Sequence, residues 1–231
     1  MTLRPLWPPA HVEVYGSVHA AMDLGDDIHL LEAWRAGDRK AADRLISRHH
    51  SLIRRTIRTK VPEQAIDDLT QRVLAALVER RDQIRAGASV RAYVLVIAKR
   101  VIADFYRRAK PDADELAHSV VDLGAGPITH LLAQRESRLL LEALRTIPLE
   151  DQFLLELYYW EDLSAPELTQ VFEATEPAIR SRLRRAKERL SARVAELTKA
   201  RPEFADTLTD LDAWALKLRE ELRLRYPNFP S

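Results

Sequence analysis

Along residues 176–193 (EPAIRSRLRRAKERLSAR) the apolar positions Ile179, Leu183, Ala186 and Leu190 recur at steps of four, three and four. That spacing places them on one stripe of a helix. Around the stripe stand Arg180, Arg182, Arg184, Arg185, Lys187, Arg189 and Arg193, with Ser181 among them. Thr175 suits the N-cap, and Pro177 suits the first turn, where a missing N–H costs little. Immediately upstream, SAPELTQVF (164–172) predicts a shorter helix. Ser164 and Glu167 have the capping-box spacing, and Leu168, Val171 and Phe172 form its apolar face. Two short helices with a tight joint, the second basic outside, have the form of a helix-turn-helix. A merely solvated basic face would carry the same pattern in the second helix alone.

The same periodicity runs through most of the chain and predicts an all-α protein of two small helical domains. Residues 1–25 carry Pro5, Pro8 and Pro9 and no sustained period, and are expected to form a flexible arm, with Trp7 and Tyr15 as candidate docking residues. The first domain is expected over 26–110. Its helices present Ile28, Leu31 and Trp34; then Leu45, Ile46, Ile53 and Ile57; then Ile66, Leu69, Val73, Leu77 and Ile84. A long fourth helix, capped by Ser89, buries Val90, Val94, Ile97, Val101 and either Ile102 or Phe105. Residues 111–130 contain Pro111, Gly124, Gly126 and Pro127, lose the period and read as a linker flexible enough for compact and open arrangements. The second domain is expected over 131–193, with Phe153, Leu154, Leu157 and Tyr158 turned inward. A helical extension over 194–231 follows, with an apolar stripe around Trp214 and Leu218 that calls for a surface to cover it, one of the two domains or a partner.

Composition removes several classes of function. The chain has no cysteine, so disulfides and thiolate metal sites are out. The histidines lack ligand spacing, and the adjacent His49 and His50 point apart on a helix. No nucleophile–base pairing, phosphate loop or metal set is present, so the chain is not expected to be an enzyme or to carry a cofactor. No apolar run suits a membrane span and no signal-peptide core is seen, which points to the cytoplasm. Net charge is only +1; its distribution is more telling. Cations gather at 91–110 and 180–193, acids at 63–68, 150–167 and 203–221. Two separated basic patches suit two contacts on one polyanion.

The first patch adds aromatic rings. Tyr93, Lys99, Arg100, Arg107, Arg108 and Lys110 are expected on the outer face of the 90–110 helix, with Tyr106 nearby. Rings stack on unpaired bases and cations hold phosphates, although tyrosines at the edge of an amphipathic core would show the same spacing.

Three segments, in this order, resemble bacterial sigma factors of the extracytoplasmic-function group, the sigma-70 family reduced to its second and fourth regions. DDLTQRVLAAL (67–77) is similar to the segment that binds the polymerase clamp. RAYVLVIAKRVIADFYRR (91–108) is similar to the helix that recognises and melts the minus-10 element. Residues 147–190, ending SRLRRAKERL, resemble the fourth region. The resemblance implies core RNA polymerase and promoter DNA as partners, and an anti-sigma factor as the usual controller. Asp67, Asp68, Leu69 and Gln71 would face the beta-prime clamp helices. The 85–90 loop, Tyr93, Lys99, Arg100, Arg107 and Arg108 would hold minus-10 bases of the melted strand. Arg180, Ser181, Arg182, Arg184, Arg185 and Lys187 would meet the minus-35 groove, and the apolar face of 139–158 the beta flap.

The sequence departs from the family pattern at Val96, where arginine is common; at Arg100, usually asparagine; at Tyr93, usually tryptophan; and at Glu173, where glycine is common. Nor has the family core an equivalent of the tail after 193. Two other readings fit part of the pattern. A helix-turn-helix repressor or activator would bind duplex DNA without polymerase, and a sigma-like decoy would bind polymerase or an anti-sigma partner without initiating. The DDLTQ segment and the basic aromatic helix speak against the repressor.

Overall fold

A computed structural model describes residues 17–85, 87–109 and 135–199, and residues 213, 215, 219 and 220 of the tail; for 17–25, 109, 135 and 136 only the backbone is described. Among the described residues up to 199, eight α-helices follow one another: α1 (Ser17–Arg35), α2 (Arg39–Arg58), α3 (Ile66–Arg80), α4 (Val90–Ala109), α5 (Arg135–Arg145), α6 (Leu149–Tyr159), α7 (Ala165–Phe172) and α8 (Glu176–Lys199). No strand occurs among the described residues. Trp7, Tyr15, Lys110, the 111–130 linker, Trp214 and Leu218 lie outside them.

Helices α1 to α4 pack as a first group and α5 to α8 as a second. In the first, the expected stripes form the core: Leu31, Leu45, Ile53, Ile57, Ile66, Leu69, Val73, Leu77 and Ile84 are all buried. At the end of α4 it is Ile102 that is buried, and Phe105 sits at the edge. Asp38 caps α2 by accepting from the backbone N–H groups of Lys40 (2.8 Å) and Ala41 (3.3 Å). Gly37 takes φ +100° between α1 and α2, where a β-carbon would be strained.

Two boundaries differ from expectation. Helix α1 starts at Ser17, nine residues before the expected domain edge. The prolines end at Pro9, and Ser17–Leu24 contains good helix formers; Gly25 alone costs only about 1 kcal/mol within a helix. Helix α8 runs on to Lys199 because the buried stripe Ile179, Leu183, Ala186, Leu190 continues through Val194 and Thr198. Its helical register therefore outlasts the basic segment.

The N-terminal helix is also tied by charge. Asp27, 3% exposed, accepts from Arg48 (2.9 Å) and lies 2.7 Å from His49 Nε2. His49 is thus a satisfied core histidine.

The two groups pack together. Helix α4 lies against α7 as well as against α2 and α3, and the apolar core continues across the boundary. Consequently Val94, Leu95, Val96, Ile97 and Ala98 are all buried, a run that a one-sided amphipathic helix would not show. Among the described tail residues, Ala215 is buried against the second group: Trp160 Nε1 donates to its carbonyl (3.1 Å), and Arg219 pairs with Asp162 at 3.5 Å.

Candidate nucleic-acid interface

Helix α8 owes its orientation to its apolar stripe and to the joint before it. The carboxylate of Glu167 accepts from both the backbone N–H (3.0 Å) and the hydroxyl (2.8 Å) of Ser164, closing the start of α7. Glu173 ends α7 in the left-handed conformation, φ 48° and ψ 45°. The joint is two residues long after that, so α8 leaves at a fixed angle with its stripe against α5, α6 and α7. Opposite the stripe, Arg180, Ser181, Arg182, Arg184 and Arg185 are all exposed. Arg180 pairs with Glu176 at 3.5 Å and Arg184 with Glu188 at 3.3 Å. Both are exposed i,i+4 pairs, weak enough to be exchanged for phosphate or a base edge.

Lys187 departs from the expectation that it belongs to this face. It is half-buried, with its ammonium 5.5 Å from the ring of Tyr158 and 5.0 Å from that of Tyr159. The position adjoins Ala186 on the stripe, so its chain turns toward α6 and stacks there.

A non-glycine residue in left-handed backbone costs on the order of 1–2 kcal/mol. Glu173→Gly is therefore expected to stabilise the protein by about 1 kcal/mol, because the exposed ion pair it forfeits contributes little. A rise in thermal midpoint of a few degrees would show it; an unchanged or lower midpoint would mean that the pair outweighs the strain.

On α3, Asp67, Asp68 and Gln71 stand exposed in the first turns, and Asp67 pairs with Arg54. Leu69, expected among them as a polymerase contact, is 0% exposed. It lies on the stripe Ile66, Leu69, Val73, Leu77 and serves the core, so it has no side-chain surface to offer a partner.

On α4, Arg107 and Arg108 are exposed near the end, Arg107 beside Asp104. Tyr93 is half-buried and packs on the core edge. Tyr106 donates its hydroxyl to the Lys60 carbonyl and meets Phe105 edge-on at 5.1 Å; burial pushes its phenol pKa upward. Lys99 and Arg100 reach the second group. Lys99 Nζ is 3.2 Å from Glu150 and 4.8 Å from the Phe172 ring centre; Arg100 is 2.6 Å from Glu173.

Sequence reasoning missed the rest of this contact. Ser89 caps α4, its hydroxyl accepting from Ala92 N–H (3.2 Å) as expected, and also donates to Glu167 at 3.0 Å. The Gln170 amide accepts from Ser89 N–H (3.3 Å) and donates to Ser89 C=O (3.2 Å). Arg55 grips Glu161 with two nitrogens, at 3.1 and 2.9 Å, and Arg91 donates to the Glu161 carbonyl. Deepest is Lys60, bonded to Glu156 and lying 4.4 Å from the Phe153 ring centre. Burial lowers the Lys60 ammonium pKa, and the Glu156 carboxylate opposes that shift. The available signal was the run of acids at 150–167: these are the residues that face the cations of α2 and α4. Among the described residues no group of three potential metal ligands forms, and no helix is long and apolar enough to cross a membrane.

Comparison with known proteins gives this geometry a family. Residues 45–111 match sigma-70 region 2 and residues 137–190 match sigma-70 region 4, together just over half of the chain. The chain is 29% identical over 168 residues to the extracytoplasmic-function (ECF) RNA polymerase sigma factor SigM of Mycobacterium tuberculosis, covering 71% of this chain and 83% of that protein. It is 21% identical over 182 residues to the ECF RNA polymerase sigma-E factor of Haemophilus influenzae, covering 74% and 96%. Two solved structures share the fold. CnrH in complex with the cytosolic domain of CnrY has a TM-score of 0.54 and 22% identity, over 72% of this chain and 96% of that one. The sigma factor RpoE in complex with the anti-sigma factor NepR from Bartonella quintana has a TM-score of 0.50 and 16% identity, over 68% and 98%. With both conserved regions matched in order, one carrying the basic helix α4 and the other the exposed arginines of α8, the chain belongs to the sigma-70 family of RNA polymerase sigma factors, in its ECF group.

Proposed function

We propose that the protein is a promoter-specificity subunit that docks on core RNA polymerase, reads two promoter elements and captures melted bases, without catalysing a reaction itself. The observation that carries this reading is the exposed row Arg180, Ser181, Arg182, Arg184 and Arg185 on α8, set by a capped α7 within the matched fourth region. Arginine in a major groove binds phosphate for position and guanine edges for sequence. The exposed Asp67, Asp68 and Gln71 would offer polar contacts to the beta-prime clamp helices; the apolar face of α5 and α6, expected to meet the beta flap, is instead buried through Leu139, Leu140, Leu144, Phe153, Leu154 and Leu157 and serves the core. On α4, Lys99, Arg100, Arg107 and Arg108 would hold the melted strand with Tyr93 at its edge. Extruding bases costs stacking energy, which a preformed surface offsets. The place of work is the cytoplasm, with the polymerase. An anti-sigma factor fits as controller, since two proteins of the same fold are named as complexes, one with an anti-sigma factor and one with a cytosolic domain.

Run-off transcription tests the reading, with purified core polymerase on DNA from upstream of the protein's own gene. A start site that depends on the added protein is the expected result. Polymerase binding without a transcript from any fragment would favour the decoy, and tight duplex binding without polymerase binding would favour the repressor.

A further inference from the structure

The tail after residue 193 has no counterpart in the family pattern, and the proposed function gives it no task. Its described residues, 213, 215, 219 and 220, are all helical. In the sequence, Leu211, Ala215, Leu218 and Leu222 recur at steps of four, three and four, the spacing of one helical stripe. Ala215 on that stripe is 5% exposed. It lies in an apolar groove walled by Leu140 and Leu144 of α5, Trp160 at the end of α6, and Lys187 and Leu190 of α8. We propose that this groove is a docking site for a helix, filled in cis by the tail segment around Ala215 and Arg219, and that the seated segment braces α8 from the side away from its arginines. The docking stands by itself; the use of the brace rests on the reading of α8 as a duplex-binding helix.

Three features of the seat select this occupant. The first is size: a covered position admits a small side chain, and a methyl group lets the helix backbone come close to the groove. The second is Trp160, whose Nε1 donates to the Ala215 carbonyl at 3.1 Å. A buried indole N–H needs an acceptor, and a closely seated backbone carbonyl provides one. The third is charge. Arg219 follows Ala215 by four positions, so it lies on the same helical face. Its side chain is 12% exposed and stands 3.5 Å from the Asp162 carboxylate. Trp160 and Asp162 thus read a small residue and a cation one turn apart. The bracing follows from the side of α8 that is touched. Leu190 belongs to the buried stripe, and Lys187 adjoins it. Arg180, Arg182, Arg184 and Arg185 stay exposed with the segment seated. The segment therefore covers none of these four and adds a contact behind them.

The test uses the full chain. Because it has no cysteine, Ser191→Cys and Glu220→Cys, at exposed positions, take two spin labels whose separation reports the seat. Ala215→Trp puts a double ring where a methyl group is covered. Ala213→Trp, at an exposed position of the same segment, is the control. Arg219→Glu sets a carboxylate against Asp162 without adding bulk and must shift every reading the same way as Ala215→Trp. Expected is one narrow separation in the parent and the control, and a broad one in the two seat variants. A broad separation in the parent, or a narrow one in both seat variants, overturns the docking. An excess of unlabelled chain should leave the parent separation unchanged; its loss would seat the tail on a second copy and overturn docking in cis. Amide hydrogen exchange reads the brace. Exchange over residues 187–198 should quicken about tenfold in the seat variants, with α3 unaffected. Unchanged exchange there, or equal quickening in α3, overturns the brace. Affinity for duplex DNA from upstream of the protein's own gene should fall about threefold in the seat variants, as follows if α8 then keeps its orientation about a third of the time. Unchanged affinity overturns the brace, and a rise would make the segment a mask and overturn it too. If the parent binds no duplex, the duplex-binding reading of α8 fails, while separation and exchange still decide docking and bracing.

Discussion

Glu156→Ala is expected to destabilise the folded protein by about 3–5 kcal/mol, a large share of the stability of a small helical protein. Lys60 and Glu156 are both buried, at 1% and 6% exposure, and Glu156 is the main electrostatic partner of Lys60. Removing the carboxylate leaves a buried ammonium beside Phe153, held by the Thr56 carbonyl, the Thr59 hydroxyl and the Glu161 charge alone, while the Arg145 charge disfavours it. Thr59, whose hydroxyl donates to Glu156 at 2.9 Å, is left with the Thr56 carbonyl, at 3.1 Å, as its acceptor. The double replacement Lys60→Met/Glu156→Leu should behave quite differently. It removes both charges and both desolvation costs, so stability is expected within about 1 kcal/mol of the parent or above it. Urea denaturation of the parent, the single variant and the double gives all three values. A single-variant cost under about 1 kcal/mol would mean that water reaches Lys60 when Glu156 is lost, and the pair would not be the buried unit described here.

Arg184→Ala/Arg185→Ala is expected to lower protein-dependent transcription about 100-fold at a promoter with an intact minus-35 element, from roughly 1–3 kcal/mol per lost contact. Both side chains project from the exposed face of α8, and neither contributes to the stripe that holds the helix in place. Folding should therefore be unaffected, and polymerase affinity unchanged within about twofold, since that docking is assigned to other helices. The log–log slope of DNA binding against salt should fall in magnitude by roughly one for each phosphate contact removed. Retention of full promoter activity with an altered salt slope would assign these arginines to general phosphate contact. Retention of both would remove α8 from the DNA interface.

Much of the fold could be read from the order of the residues because its determinants are local. The stripes of α2, α3 and α8, the capping box at Ser164 and Glu167, and the serine cap of α4 depend on residues three or four apart. The exposed arginines of α8 were legible for the same reason: a stripe defines its own opposite face. What could not be read joins residues far apart. Arg55 meets Glu161 and Lys60 meets Glu156 across a segment with no periodic pattern. The run Val94–Ala98 shows what the period of a single helix leaves out on α4. Periodicity predicts one buried side, whereas packing on a second group buries another. Leu69 and Lys187 illustrate the limit of transferring a motif as a block, because within a helical segment the core claims whichever residues lie on its face.

The anchoring of Asp27 has a practical meaning for where the first helical unit begins. Similarity to region 2 starts only at residue 45, yet α1 covers α2 and supplies the carboxylate for Arg48 and His49. A shortened chain beginning at the edge of that similarity would lose Leu31 from the core and strand a 5% exposed imidazole without its acceptor. Evolutionary resemblance and mechanical autonomy thus have different borders here. The smallest piece that folds on its own should begin ahead of the piece that can be recognised.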